Sequence, residues 1–317
     1  DVSGVDYSLV FPVHGSDSAG YVSLAHGLIN NGALSHSTMA PFELDTFRTP
    51  GYPLVLALFK LLSGSYKFFP FIQIILTVAT SIMILRIGES LWGRRVGILA
   101  GMMYLLDPTT IFHSLVLLSD IPFVFFIVSS VYLGFFSDTG QGSFKKSIVN
   151  MFFAGVVLGF AVLVRPIAMF LPPLFLFFCF ILRRGQLPTK TILISFAVFI
   201  FGVSLLVCPW LVRNKIVANT WGLSSVAAFN LFHYYVPEFL AYKEHTTPDT
   251  LRLRMRADLP SGIPTYGIAS IEHSATINKI SLEYLKGNFI SYSIFHIVKT
   301  IPVFLSSGIK HVLFYYN

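Results

Sequence analysis

Long stretches without a charged residue dominate this chain, and they decide what it can fold into. Such apolar runs lie at residues 68–85, 147–164, 166–182 and 191–212. A helix that crosses a bilayer needs roughly 17–25 mostly apolar residues, and each run is long enough. Residues 96–119 form a fifth run, interrupted by Asp107 alone, and 121–136 a slightly short sixth. A weaker seventh, 289–308, contains Lys299. Residues 147–182 cannot be one helix, because at about 1.5 Å per residue they would outrun the bilayer. The Arg165-Pro166 step is expected to break them into a hairpin, since a residue before proline avoids helical dihedrals. Asp120 is expected at a tight turn between the fifth and sixth runs. The predicted fold is all-α, a polytopic transmembrane helical bundle of about six spans.

Composition excludes the main alternatives. Of the 317 residues, 54% are hydrophobic and only 12% charged, against about 25% charged in an ordinary soluble domain. That rules out a disordered chain, a nucleic-acid-binding domain and a conventional soluble enzyme. The net charge of +7 then serves to orient the helices rather than to bind nucleic acid. Cys179 and Cys208 both fall in apolar runs, so no disulfide framework is expected. The chain starts at Asp1 with no signal-like segment and stops in an apolar stretch, as a fragment cut at both ends would.

Loop charges set the topology. Alternate connections carry Arg86, Arg94 and Arg95, then Lys145 and Lys146, then Arg183, Arg184 and Lys190. By the positive-inside rule these are cytoplasmic. Residues 1–52, Asp120, Arg165 and the segment after Trp210 therefore lie outside. The expected organisation is an outer loop (1–52), a transmembrane core (53–212), an extracytoplasmic segment (213–288) and a possible further span (289–317). Within the third part, residues 268–286 have amphipathic helical spacing and either lie on the membrane or pack on the rest.

Charges at membrane depth need a partner or a purpose. Once the helices are oriented, Asp17, Arg48, Asp120, Arg165 and Arg213 all converge on the outer boundary. Each alone can be a snorkelling helix-end charge. Together, two acids and three arginines make a candidate pocket for an anionic ligand. Asp17 opens a helical pattern, where it is either a cap or a functional carboxylate. Arg48 precedes a Pro/Gly-rich turn that can hold a guanidinium for bidentate phosphate binding. There is no Walker A sequence, dinucleotide fingerprint or Asp-x-Asp, hence no nucleotide pocket. Trp221, Tyr234 and Tyr235 either line a site or belong to an interfacial aromatic belt.

Several short motifs occur in a telling order: Asp17-Ser18-Ala19-Gly20-Tyr21, Arg48-Thr49-Pro50-Gly51-Tyr52-Pro53, Ser119-Asp120, Arg165-Pro166 and Pro209-Trp210-Leu211-Val212-Arg213-Asn214. Together they resemble the membrane-embedded glycosyltransferases of the GT-C superfold, in the bacterial branch related to protein O-mannosyltransferases and lipid A aminoarabinose transferases. The resemblance covers residue 15 to about residue 230 and implies a polyprenyl-phosphate-linked sugar as donor, used on the outer face. Lipid, glycan or protein hydroxyls are the acceptors it allows. It implies Asp17 and Asp120 as the catalytic acids and Arg48 as a contact to the lipid phosphate; by their charge and level, Arg165 or Arg213 can also hold that phosphate. Tyr21, Tyr52 and Asn230 are expected to line the substrate. If a divalent metal takes part, Asp17, Glu43 and Asp45 are its candidate oxygen ligands. The chain departs from the branch in having Phe47 where an acid stands before the basic residue, Gly20 in place of a frequent Arg, and Asp107 where a small residue is usual.

Moving a sugar from a lipid phosphate to a hydroxyl needs a base for the acceptor proton and positive charge for the departing phosphate. These residues can supply both, in a single inverting displacement. Two rival readings are a secondary transporter, for which only Asp107 offers a midplane charge, and a non-catalytic membrane partner in which the five charges would not cluster.

Overall fold

The computed structural model describes residues 15–137, 144–183, 188–263 and 270–305. Among them the fold is all-α, with no strand beyond one isolated bridge between Ser35 and Leu44. The chain divides into two compact units. Of the described residues, the first comprises those within 15–44 and 49–210, and the second those within 45–48 and 211–305.

The first unit starts with α1 (Gly15–Asn31) and α2 (Gly51–Ser63). Next come α3 (Phe69–Trp92) and α4 (Arg94–Leu105), joined by Gly93 at φ +89°, a left-handed value that glycine adopts without a Cβ penalty. Small residues let this hairpin close tightly: a Cβ on Gly97 would lie 2.5 Å from the Leu85 carbonyl oxygen. The Ser81 hydroxyl donates across it to the Gly101 carbonyl at 2.8 Å. Helix α7 (Phe144–Val164) and the long α9 (Thr189–Ala218) also meet through glycine, since a Cβ on Gly155 would lie 2.0 Å from the Phe199 carbonyl oxygen.

Residues 96–119 do not form the single span expected. The helix stops at Leu105 and restarts as α5 (Pro108–Leu115). Asp107 precedes a proline, which drives it out of the helical region, and at φ −64°, ψ 123° its Oδ2 accepts from the Thr110 N–H at 2.7 Å. This apolar-run aspartate is an N-cap. The orphan carbonyls at the other end of α5 are also satisfied: the fully buried Gln73 donates through Nε2 to His113, Ser114 and Val116 at 3.0, 3.1 and 2.7 Å. That clamp fixes the extended link into α6 (Asp120–Val131), which continues in a π-helical turn, Tyr132–Phe136.

Likewise 166–182 is not one helix. Arg165 is extended (φ −141°, ψ 120°), as a residue before proline prefers, and a 3₁₀ turn over Pro166–Phe170 precedes α8 (Pro172–Arg183). Among the described residues, three helices, Tyr66–Trp92, Ser147–Val164 and Thr189–Ala218, are long and apolar enough to cross a membrane. The pair Pro108–Leu115 and Asp120–Phe136, bent by 115°, would make a fourth. Many large side chains along these helices, such as Ile75, Ile82, Phe201 and Leu205, are exposed. Water would disfavour so much apolar surface and lipid does not. The chain is an integral membrane protein.

The second unit holds α10 (Val226–Asn230), a π-helical turn (Leu231–Tyr235), α11 (Val236–Glu244), α12 (Pro248–Ala257), α13 (Ser274–Leu285) and α14 (Phe289–Leu305). Its core gathers Phe232, Val236, Phe239, Leu251, Met255, Ile277, Leu285 and Phe295. Of the amphipathic 268–286 stretch, residues 268 and 269 lie outside the described residues, and α13 packs inward through Ile277 and Leu285. Helix α14 joins the same core through Phe295, and its Lys299 donates to Glu238 at 2.6 Å.

Candidate functional site

In the first unit the sequence-selected polar residues meet at helix ends. Two tight contacts bring the ends of α2 and α7 together. A Cβ on Gly51 would lie 2.5 Å from the Leu163 carbonyl, and the Thr49 hydroxyl donates to the Val164 carbonyl at 3.5 Å. One residue on, Arg165 turns back toward the start of α6. Its Nη2 donates to Asp120 Oδ2 at 2.5 Å and its Nε to Ser119 Oγ at 2.8 Å. Its guanidinium carbon also lies 5.7 Å from the centre of the Phe123 ring, within cation–π range. The pair is half-open, with side-chain exposures of 38% for Arg165 and 30% for Asp120.

Ser119 is fully buried and links this pair to α1, since Tyr21 Oη lies 3.4 Å from Ser119 Oγ. Asp17 is exposed in the first turn of α1. It stands four residues before Tyr21, so the two share a face of that helix. Tyr52 was expected to line the substrate, but it is fully enclosed behind Tyr21, with the two rings edge-on at 4.7 Å. Its place in the cluster of Val22, Ala25, Leu56, Phe69 and Val164 explains the difference.

The second unit holds the other two arginines. Residues 45–48 run into it as a strap. The Thr46 carbonyl accepts from the Ser225 N–H at 3.1 Å, Thr46 Oγ1 accepts from the Ile271 N–H at 3.0 Å, and Phe47 packs edge-on to Phe229. Arg213 Nη1 donates to the Asp45 carbonyl and to Asn214 Oδ1, both at 2.8 Å. Asn214, fully buried, holds the Gly222 and Leu223 carbonyls. Asp45 Oδ1 accepts from the Arg48 N–H at 2.8 Å, and the Arg48 guanidinium sits 5.6 Å from the Phe47 ring centre. Arg48, expected at an open surface, is only 8% exposed because the strap is drawn into this unit. Asn230, the last residue of α10, is half-buried. Trp221, Tyr234 and Tyr235 are all exposed.

Asp17 and Glu43 belong to the first unit and Asp45 to the second. Among the described residues, no three of His, Cys, Asp and Glu gather into a group able to hold a metal ion. His233, in the π-helical turn, has its pKa pushed down to about 4, by burial first and then by Arg256 and Arg252. Sequence reasoning placed Ser119 in the Ser119-Asp120 motif without a role, and it is the hub of the first cluster; it passed over Gln73 altogether. A lone glutamine inside the 68–85 apolar run was the available signal for the latter.

Comparison with known proteins follows the same lines. The profile of the dolichyl-phosphate-mannose-protein mannosyltransferase family matches residues 48–212, just over half of the chain and inclusive of Asp120 and Arg165. The crystal structure of ArnT from Cupriavidus metallidurans in the apo state resembles the chain with a TM-score of 0.51 at 14% identity, over 88% of this chain and 56% of that one. The chain thus spans little more than half the length of that structure, and at such identity the likeness concerns the fold. No curated protein sequence matches. With the profile matching more than half of its length, the chain belongs to the dolichyl-phosphate-mannose-protein mannosyltransferase family.

Proposed function

We propose that the chain transfers a sugar, a hexose or a pentose, from a polyprenyl-phosphate-linked donor to an acceptor hydroxyl on the outer face of the membrane. One observation carries the reading: Tyr21, Ser119, Asp120 and Arg165 form a bonded polar network at helix ends in a chain of this family. Asp17 is the general base. It takes the acceptor's proton as the hydroxyl oxygen attacks the anomeric carbon. The bond from that carbon to the phosphate oxygen breaks, and the lipid phosphate leaves with the electron pair. Attack opposite the leaving group inverts the anomeric carbon.

Arg165 holds the departing phosphate. A guanidinium carries five N–H donors, and Ser119 and Asp120 take up two of them. Asp120, the second acid, fixes the direction in which the remaining donors point. We assign the phosphate to Arg165 ahead of Arg48, which is buried, and Arg213, which ties down the Asp45 carbonyl. Tyr21 lines the site beside them. No step is routed through a metal. The acceptor is a lipid, glycan or protein hydroxyl, and a bacterial inner membrane is the proposed location. Asp107, the one midplane acid a transporter reading could use, is engaged in capping α5.

Mass spectrometry of cell-envelope lipids and glycans, with and without the intact gene, tests this. Loss of one sugar from one acceptor, with its polyprenyl-phosphate form accumulating, is the expected result. Identical profiles would refute the proposal.

A further inference from the structure

Tyr52 is an unusual choice for its position. The side chain is fully enclosed, and among the described residues its hydroxyl oxygen has no hydrogen-bond partner. A buried, unpaired polar group costs about 1–3 kcal/mol, and native proteins keep few of them. Phenylalanine would fill the same space among Val22, Leu56 and Phe69 without that cost. The ring lies one aromatic layer behind the polar network: edge-on to Tyr21 at 4.7 Å, with Tyr21 Oη at 3.4 Å from Ser119 Oγ and Ser119 Oγ at 2.8 Å from Arg165 Nε. Tyr21, Asp120 and Arg165 are the ionisable groups whose charge reaches the Tyr52 hydroxyl. The backbone contact of Gly51 on Leu163 keeps the start of α2, and so Tyr52, at this level.

We propose that the Tyr52 hydroxyl is a hydrogen-bond donor held in reserve for an anionic oxygen of the phosphate that binds at Arg165, reached when the partly buried Tyr21 ring turns aside. The inference rests on the reading of Arg165 as the phosphate ligand and adds a second donor to it. The same cluster contains an internal control. Tyr66 is 3% exposed and its hydroxyl also lacks a partner, but its ring neighbours are His26 and Lys60 rather than the polar network.

The test uses the full-length protein in nanodiscs, with a polyprenyl phosphate as the probe. Tyr52→Phe is expected to leave the melting temperature of the free protein unchanged or raised, while weakening lipid-phosphate binding roughly tenfold to hundredfold, the range for a hydrogen bond to a charged group. Tyr66→Phe is expected to have the same effect on stability and none on binding. If Tyr52→Phe binds the probe as tightly as wild type, or melts lower because its hydroxyl was bonded after all, the inference falls alone. A wild-type protein that does not bind polyprenyl phosphate overturns the reading of the site and this inference with it.

Discussion

Arg165 and Asp120 should behave as one energetic unit. Replacing Arg165 with Ala removes a charge-assisted hydrogen bond at 2.5 Å, a second bond to the buried Ser119 and a cation–π contact with Phe123. Taken singly these are worth about 1.5–3, about 1 and about 0.5–1 kcal/mol. The two side chains are 38% and 30% exposed, so water replaces part of what is lost. A net cost of about 2–3 kcal/mol follows for Arg165→Ala. Asp120→Ala loses only the shared bond. The double variant loses that bond once, so the singles should overshoot the double by about 1–2 kcal/mol. Equilibrium unfolding of the full-length protein by steric trapping in bicelles measures all three. Singles that add to the double within about 0.5 kcal/mol would refute the pairing.

Three further expectations come from single elements. Asp107→Ala should cost about 1 kcal/mol in thermal unfolding while Asp107→Asn stays near neutral, because asparagine caps as well as aspartate; equal losses would contradict the cap. His233 sits at about 4 when folded against an ordinary 6.5, so the unfolded chain binds the extra proton between those values. Its stabilising effect is complete above about pH 6.5 and is lost as pH falls toward 4, by up to about 3 kcal/mol, and His233→Gln should remove that dependence from unfolding measured across the window. Reporters fused after Arg95, Lys146 or Lys190 should read cytoplasm, and those after Asp120 or Asn214 outside; the reverse would overturn the orientation.

Hydrophobic runs made the helices legible, because lipid-facing and core-facing residues are alike apolar and leave no ambiguity about element type. They could not show where helices break. Leu106-Asp107-Pro108 reads as part of one run until the dihedral limits before proline and the capping bond to Thr110 are considered. The Arg165-Pro166 step carries the same signal and was legible because its charge stood out. Among site residues, the acids and arginines could be named from their depth in the membrane, but their partners could not. Nothing in the sequence pairs Arg165 with Asp120, 45 residues away in the chain. Arg48 shows the limit from the other side: an arginine before a Pro/Gly-rich turn suggests a surface guanidinium, and the strap's bonds to Ser225 and Ile271 bury it instead. Ser119 stands out in the sequence only as the neighbour of Asp120, with nothing to give it a role. Its role exists only once α1, α6 and the end of α7 meet.

The central claim is that Asp17 is the base of a sugar transfer from a lipid phosphate. Its most direct test is turnover of a labelled polyprenyl-phosphate sugar by the purified full-length protein in nanodiscs, with an envelope extract as acceptor, comparing wild type with Asp17→Asn. The substitution preserves the shape of the side chain while removing its basicity and its charge in the first turn of α1. The account expects a melting temperature changed by no more than a few degrees and a rate lower by roughly 10²–10⁴-fold. A folded Asp17→Asn protein that turns over at the wild-type rate would contradict it and leave Asp17 as a first-turn acid that complements the helix dipole.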